Sequence, residues 1–403
     1  MRRSGISPLT LLRLAGRVAP HPWIWGKLAL LQAEKHGFAL CPGRLRSGQA
    51  GKIRQLSLRL TDLCNLRCAT CGQWGERGFL HGRNLRELRK DEIPVARHVE
   101  VIADMVRRGH RPPVYLWGGE PMLYDGVIDL IQACTRLRLP VSIATNGTGI
   151  AAAAEALVKT PLFLLQISID GHTAEVHNRL RPAIGGGDNF ADIAQALAAV
   201  REERRRQRRS LPLIASLTTI SHGNAASLVD LYEAFRDRVD LFVFYLSWWI
   251  DEPSAALHEA DFAGRFGVAP TLHRGWIGGW RPDDYAALDR QLKDLKRRAR
   301  RPGAPPVVVL PDVGDARQLE AYYTDHAETF GYRQCVSIMQ AVEIDSNGDL
   351  SPCRDYHDYS VGNIREQFIP DLWNNEKYRH FRRSLARDGL MPACRRCCGL
   401  MGF

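Results

Sequence analysis

Cys64-Asn65-Leu66-Arg67-Cys68-Ala69-Thr70-Cys71 places three thiols within eight residues. Three thiolates at this spacing can converge on one soft metal centre from a single loop. A zinc site ordinarily takes four ligands, commonly as two pairs. No histidine completes the set nearby, since His81 stands ten residues beyond Cys71. Three ligands on one loop point to an iron–sulfur cluster with one open iron. Residues 55–61 alternate apolar and polar (Leu56, Leu58, Leu60) and predict a strand. The cysteine loop therefore leaves the C-terminal end of a first strand, where α/β barrels keep their chemistry.

A second signal, Trp117-Gly118-Gly119-Glu120-Pro121, follows a strand-like run over 113–117. Two glycines after a strand let the backbone approach a ligand closely, and Glu120 offers a carboxylate to an ammonium. Alone, these residues also read as a βα turn; downstream of a three-cysteine loop they carry more. Here the chain resembles the radical S-adenosylmethionine (SAM) superfamily, over roughly residues 51–250. The resemblance implies a [4Fe–4S] cluster held by Cys64, Cys68 and Cys71, whose open iron chelates the methionine moiety of SAM. It implies that Gly118, Gly119 and Glu120 meet the SAM amino group. It also implies reductive cleavage of SAM to a 5′-deoxyadenosyl radical that abstracts a substrate hydrogen. Thr70 departs from the family, which often has an aromatic residue before the third cysteine; that residue packs rather than ligates.

Further along, strands are expected over 141–145, 163–170, 213–220 and 241–247. Helices are expected over 93–106, 127–137, 149–159, 190–209 and 226–235. Six strands alternating with helices form a parallel βα repeat, which suits the partial (β/α)6 barrel of the family. Ser168-Ile169-Asp170-Gly171, then His177 and Arg181, resembles a run in members with C-terminal auxiliary domains. By that likeness Ser168 and Arg181 hold the SAM carboxylate, and a guanidinium fork is suited to it. Arg179 competes with Arg181, because the run here is one residue longer. Asn146, at the third strand end, is expected to face the SAM pocket. Taken singly, Ser168 and Asn146 also read as turn or capping residues. Trp248 and Trp249 follow the sixth strand and either pack under the next connection or line the substrate opening.

Five more cysteines lie at the C-terminus: Cys335, Cys353, Cys394, Cys397 and Cys398. Asn347-Gly348 between two short strand-like runs is a hairpin cue that brings Cys335 and Cys353 together. A helix expected over 371–387 returns the chain to the closing Cys-x-x-Cys, so four cysteines converge. The tail resembles the SPASM/twitch class of auxiliary cluster domain, through Cys353-Arg354-Asp355, Val361-Gly362-Asn363-Ile364 and Trp373. A full SPASM domain uses about seven cysteines for two clusters. With five here, the expectation is one [4Fe–4S] cluster on Cys335, Cys353, Cys394 and Cys397, with Cys398 the alternative ligand or a hydrogen donor. A structural zinc site is the rival reading. Cys134 and Cys41 are expected to be unligated.

The 403 residues suggest two or three units, and 45% hydrophobic with 25% charged residues is ordinary for a globular chain. That excludes disordered, collagen-like and disulfide-scaffold classes. No apolar run approaches the ~18–20 residues of a membrane span, and a cytoplasmic location is expected. The expected organisation is a basic N-terminal extension (1–50, with an amphipathic helix over 8–18), the barrel (51–250), a bridge (251–334) and a small α+β iron–sulfur domain (335–403). The net charge of +11 gathers at 204–209, 296–301 and 377–396, as solvated helix faces or as attraction for an anionic partner. No nucleic-acid-binding signature accompanies it. The expected function is oxidation of a small biosynthetic intermediate, a dehydrogenation or crosslink, with flavodoxin or ferredoxin as electron donor. The alternatives are radical epimerisation of a sugar or peptide, and a non-catalytic zinc and nucleic-acid-binding protein.

Overall fold

Leu56 and Leu58 of β1 (Gln55–Arg59) are completely buried, and on the opposite face of the strand Ser57 and Arg59 are buried too. A strand covered on both sides belongs to a parallel sheet with helices outside and a filled interior. The computed structural model describes residues 43–401 apart from 161, together with residue 33. The expected N-terminal helix and Cys41 lie outside the described residues.

Strands β2 (Val114–Trp117), β3 (Val141–Thr145), β4 (Leu164–Ser168), β5 (Leu213–Ile220) and β6 (Leu241–Leu246) follow β1 in order, each parallel to the last. Between them run the helices Val95–Arg107, Val127–Arg136, Ile150–Lys159, Asn189–Arg206 and Leu228–Phe235. Their inner faces, including Ile102, Met105, Ile131, Leu157 and Leu231, are buried on the sheet. Each such side chain contributes roughly 1.5–3 kcal/mol by leaving water. The result is the α/β parallel-stranded partial barrel expected from the sequence.

Four strands extend the sheet beyond those six. β7 (Val307–Leu310) pairs with β6, and β8 (Ala341–Ile344) pairs with the free side of β1. β9 (Asp349–Ser351) and β10 (Gly362–Asn363) complete a single sheet ordered β10-β9-β8-β1-β2-β3-β4-β5-β6-β7. The expected Asn347-Gly348 turn joins β8 and β9, and this hairpin continues the barrel sheet. The 251–334 segment, expected as a bridge, carries β7 and the helices Glu252–Phe266, Tyr285–Arg298 and Ala316–Thr324.

The helix expected over 371–387 is two helices, Ile369–Leu372 and Glu376–Asp388. Between them, Asn374 bonds both backbone groups of Ala50, at 2.9 and 3.0 Å. Asn375 caps the second helix by accepting from the Tyr378 N–H at 2.9 Å. The tail is thereby stitched to the chain just ahead of β1.

The basic runs are partly structural. Arg382 is buried, bonded through its guanidinium to the carbonyls of Ile338 (2.9 Å) and Gly48 (3.2 Å), and stacked on Trp373 and Tyr378. Arg396 is also buried and donates to the carbonyls of Tyr322 (2.7 Å) and Trp249 (2.8 Å). On the exposed helices, Arg206 meets Glu203 at 2.8 Å, Lys296 meets Asp312 at 2.7 Å and Arg297 meets Asp294 at 2.6 Å. Among the described residues, no helix is long and apolar enough to cross a membrane.

Candidate functional site

The loop after β1 carries Cys64, Cys68 and Cys71 to the C-terminal end of the barrel strands, where all three line one cavity of about 230 Å³. None is in a disulfide. Each sulfur faces a donor: the Leu66 N–H on Cys64 (3.4 Å), the Arg181 guanidinium on Cys68 (3.6 Å) and the Trp74 N–H on Cys71 (3.4 Å). Donors aimed at three sulfurs suit thiolates. Burial pushes the Cys64 thiol up to about 12 and the Cys68 thiol to about 11. At neutral pH these groups ionise only beside added positive charge, which an iron cluster supplies. The three residues therefore fit the cluster.

The glycines of the second motif act on this loop. Gly119 N–H bonds the Thr61 carbonyl (2.8 Å) and Glu120 N–H the Leu63 carbonyl (2.7 Å), laying the end of β2 along the backbone that leads to Cys64. A Cβ on Gly118 (φ +149°) would lie 2.4 Å from the Thr61 carbonyl oxygen, and one on Gly119 would lie 2.2 Å from that of Leu63. Only glycine permits this approach. Both glycines also line the cavity.

Glu120, expected to face the SAM ammonium, is turned into the protein. It is 1% exposed and does not line the cavity. Its carboxylate accepts from the Met122 N–H (3.0 Å), the Thr145 hydroxyl (2.7 Å) and the Asn146 N–H (2.7 Å). Burial lifts its pKa to about 7 against the pull of those three bonds. It holds the end of β3, and Asn146 does reach the cavity wall, its side chain donating to Asn65 of the cysteine loop at 2.8 Å.

Ser168, at the end of β4, and Arg181 line the same cavity, whereas Arg179 is exposed on the helix Ala174–Leu180. Geometry thus separates the two arginines. Arg181 Nε donates to Asp170 Oδ2 at 2.6 Å, and Asp170 also accepts from the Thr219 N–H at 2.8 Å. Burial works against the Arg181 charge, but the Asp170 carboxylate outweighs it and holds the guanidinium protonated. His177 takes the Asp170 N–H on Nδ1 (3.2 Å), so its proton sits on Nε2 and is donated to Asn189 Oδ1 (3.0 Å). Asp170, His177 and Arg181 of the Ser-x-Asp-Gly…His…Arg run are therefore one hydrogen-bonded unit that aims Arg181. Sequence reasoning missed Tyr115, Trp117, Thr145 and Thr219 on the cavity wall. Tyr115 and Trp117 are two apart on β2, a spacing that puts both on one face of the strand.

A second cavity, of about 90 Å³, is lined by Cys335, Cys353, Cys394, Cys397 and Cys398. Cys353 and Cys397 both reach the Asp355 carboxylate, each at 3.9 Å, and Cys394 lies 2.9 Å from the Tyr356 hydroxyl. Burial and neighbouring carboxylate and thiol groups push the Cys353 thiol upward, and burial pushes Cys394 to about 12. Among the described residues, no three Cys, His, Asp or Glu side chains are gathered tightly enough for a single ion. Thiols spaced round a cavity suit a multi-atom cluster better than zinc, whose donors sit about 2.3 Å from one point. Cys398 differs from Cys353, Cys394 and Cys397: bonding to Cys397 lowers its pKa despite burial, and the charged groups that act on it include Arg354. The Arg354 guanidinium lies over the Tyr115 and Trp117 rings (5.6 and 5.4 Å) and 3.2 Å from Glu343.

Trp248 and Trp249 pack under the tail. Trp248 Nε1 donates to the Arg395 carbonyl (3.0 Å), and Trp249 is buried against His326. Cys134 is buried on its helix, away from both cavities.

The sequence matches the Radical SAM superfamily over residues 58–220 and the SPASM iron–sulfur cluster-binding domain over residues 335–398. It is 26% identical over 333 residues to pre-heme d1 synthase of Dinoroseobacter shibae, covering 78% of this chain and 71% of that one. It is 25% identical over 352 residues to the AdoMet-dependent heme synthase of Methanosarcina barkeri, covering 85% and 88%. In fold it is similar to Streptococcus suis SuiB bound to S-adenosylmethionine, with a TM-score of 0.57, 16% identity and coverage of 88% and 72%. SuiB has also been solved with its precursor peptide SuiA.

Proposed function

Since the chain belongs to the radical SAM superfamily and ends in an SPASM domain, we propose that this radical SAM enzyme is an oxidoreductase acting on a small biosynthetic intermediate. When bound, the first cluster, reduced by an external electron donor, would supply the electron that splits SAM into methionine and a 5′-deoxyadenosyl radical able to take a substrate hydrogen, and the auxiliary cluster would supply an acceptor for the electron left behind.

In this reading Cys64, Cys68 and Cys71 hold the first cluster. The Gly118–Gly119 backbone and Asn146 meet the methionine end of SAM, and Ser168 and Arg181 take its carboxylate. Glu120 acts one step back, by fixing Asn146. Trp74, whose indole donates to the Asp62 carbonyl at 2.6 Å, lines the cavity with Cys71.

The observation that carries oxidation is the second thiol set. Cys335, Cys353, Cys394 and Cys397 complete a four-ligand site, which leaves no vacant iron for substrate and suits electron transfer. The two curated relatives with long matches are named as heme and pre-heme d1 synthases, which supports a small molecule. The fold neighbour solved with a precursor peptide supports the competing peptide substrate. Epimerisation is a second reading, favoured by one observation. Cys398 lines the auxiliary cavity with Arg354, whose guanidinium lies over Tyr115 and Trp117 of the barrel, and a thiol there can return a hydrogen atom to a substrate radical.

The test is anaerobic turnover of the reconstituted enzyme with SAM and a reductant over a panel of biosynthetic intermediates, monitored by 5′-deoxyadenosine. A substrate-dependent rise with a product lighter by two hydrogens supports the proposal. A product of unchanged formula contradicts it.

A further inference from the structure

Tyr356 stands between Cys394 and a buried pair of histidines. Its hydroxyl is 2.9 Å from the Cys394 sulfur, its hydrogen-bond partner among the described residues. Its ring stacks on His258 (5.1 Å between centroids, 23° between planes) and is flanked by Phe262 and Phe381 at 5.7 and 6.0 Å. His258 is fully buried, and among the described residues neither of its ring nitrogens has a hydrogen-bond partner. It meets His273 edge-on at 4.8 Å, and His273 Nε2 faces the Glu259 carboxylate at 3.3 Å. The rings around Tyr356 hold its hydroxyl against the Cys394 sulfur.

We propose that Tyr356 sets the reduction potential of the auxiliary cluster by donating a hydrogen bond to the sulfur of Cys394, with His258 and His273 holding its ring in place. The proposal rests on the reading that Cys335, Cys353, Cys394 and Cys397 bind a cluster. A ligating thiolate carries no proton, so the phenol is the donor. A donor at a ligand sulfur stabilises the more negative, reduced cluster more than the oxidised one, and so raises the potential. In a buried box of rings that effect is stronger than it would be in water. The Gly399 N–H, a backbone donor to the same thiol set, meets Cys397 at a longer 3.3 Å. A raised potential fits a cluster that takes an electron from substrate. Tyr356 is thus a positioning and tuning residue that need not touch substrate.

The experiment measures the auxiliary cluster alone, in full-length protein carrying Cys64→Ala, Cys68→Ala and Cys71→Ala. Midpoint potentials are read by EPR-monitored redox titration. Tyr356→Phe keeps the ring and removes the donor, and its midpoint moves to more negative values with the iron content unchanged. 3-Fluorotyrosine incorporated at position 356 makes the O–H a stronger donor, and moves the midpoint the opposite way. A merely structural tyrosine gives no such pair of opposite shifts. Retained iron with an unmoved midpoint in both proteins overturns this inference alone, and if Tyr356→Phe loses iron, the fluorotyrosine protein decides. A triple-alanine parent without iron overturns the auxiliary cluster reading and this inference with it.

Discussion

Arg181→Lys keeps a positive charge in the SAM cavity and removes the fork. Arg181 Nε is committed to Asp170 at 2.6 Å and one terminal nitrogen faces Cys68 at 3.6 Å, which leaves the other terminal nitrogen for a ligand carboxylate. A lysine ammonium can meet Asp170 or the ligand, but its single nitrogen does not span both. A lost hydrogen bond between charged groups is worth about 1.5–3 kcal/mol, so SAM affinity falls roughly 10- to 100-fold. Asp170 keeps its bond from the Thr219 N–H, and the lysine variant stays folded with its iron. Arg181→Ala behaves differently, because it leaves the buried Asp170 carboxylate unpaired and costs about 3–5 kcal/mol of stability. Equilibrium SAM binding under anaerobic conditions, with iron content and urea unfolding on the same samples, separates the two effects. Unchanged SAM affinity in folded, iron-loaded Arg181→Lys refutes the carboxylate role.

Three other outcomes are expected. Burial holds Glu120 at about 7 against an ordinary 4.5, so between those values the folded chain binds more protons than the unfolded one. Stability therefore falls as pH rises through that window, by up to about 3 kcal/mol; urea unfolding of Glu120→Gln should lack this fall, and parallel pH curves for the two proteins contradict it. Arg382→Ala removes a buried guanidinium bonded to the Ile338 and Gly48 carbonyls and stacked on two rings, which should lower unfolding stability by about 3 kcal/mol or more; a loss near zero contradicts the stitching role. In heavy water, dehydrogenation gives a product lighter by two hydrogens that Cys398→Ala still forms, whereas a solvent deuteron in a product of unchanged formula, lost in that variant, means epimerisation.

The barrel was legible because its signals are local. The six strands expected from alternation and apolar runs correspond to β1–β6 within a few residues at each end. Three cysteines in eight residues also announce their chemistry without any tertiary information. What failed to show was non-local. β7 is four residues long, follows Pro305-Pro306, and becomes a strand by pairing with β6. The Glu252–Phe266 helix did carry a readable start: Asp251 caps it, accepting from the Ser254 N–H at 2.9 Å, with a proline in the first turn. Glu120's carboxylate has the right chemistry for an ammonium, but its burial did not show in the sequence, because its donors Thr145 and Asn146 come from the end of a different strand. The same holds for Arg382 and Arg396: a run of basic residues reads as solvated until the carbonyls that bury them are known.

Iron content tests the account most directly. Anaerobically reconstituted protein should hold roughly eight irons per chain, as two four-iron clusters. Changing Cys64, Cys68 and Cys71 together to alanine should leave about half of it, and changing Cys335, Cys353, Cys394 and Cys397 together should leave the other half. Full iron content in the first variant, or stoichiometric zinc at the C-terminal thiols, contradicts the two-cluster account.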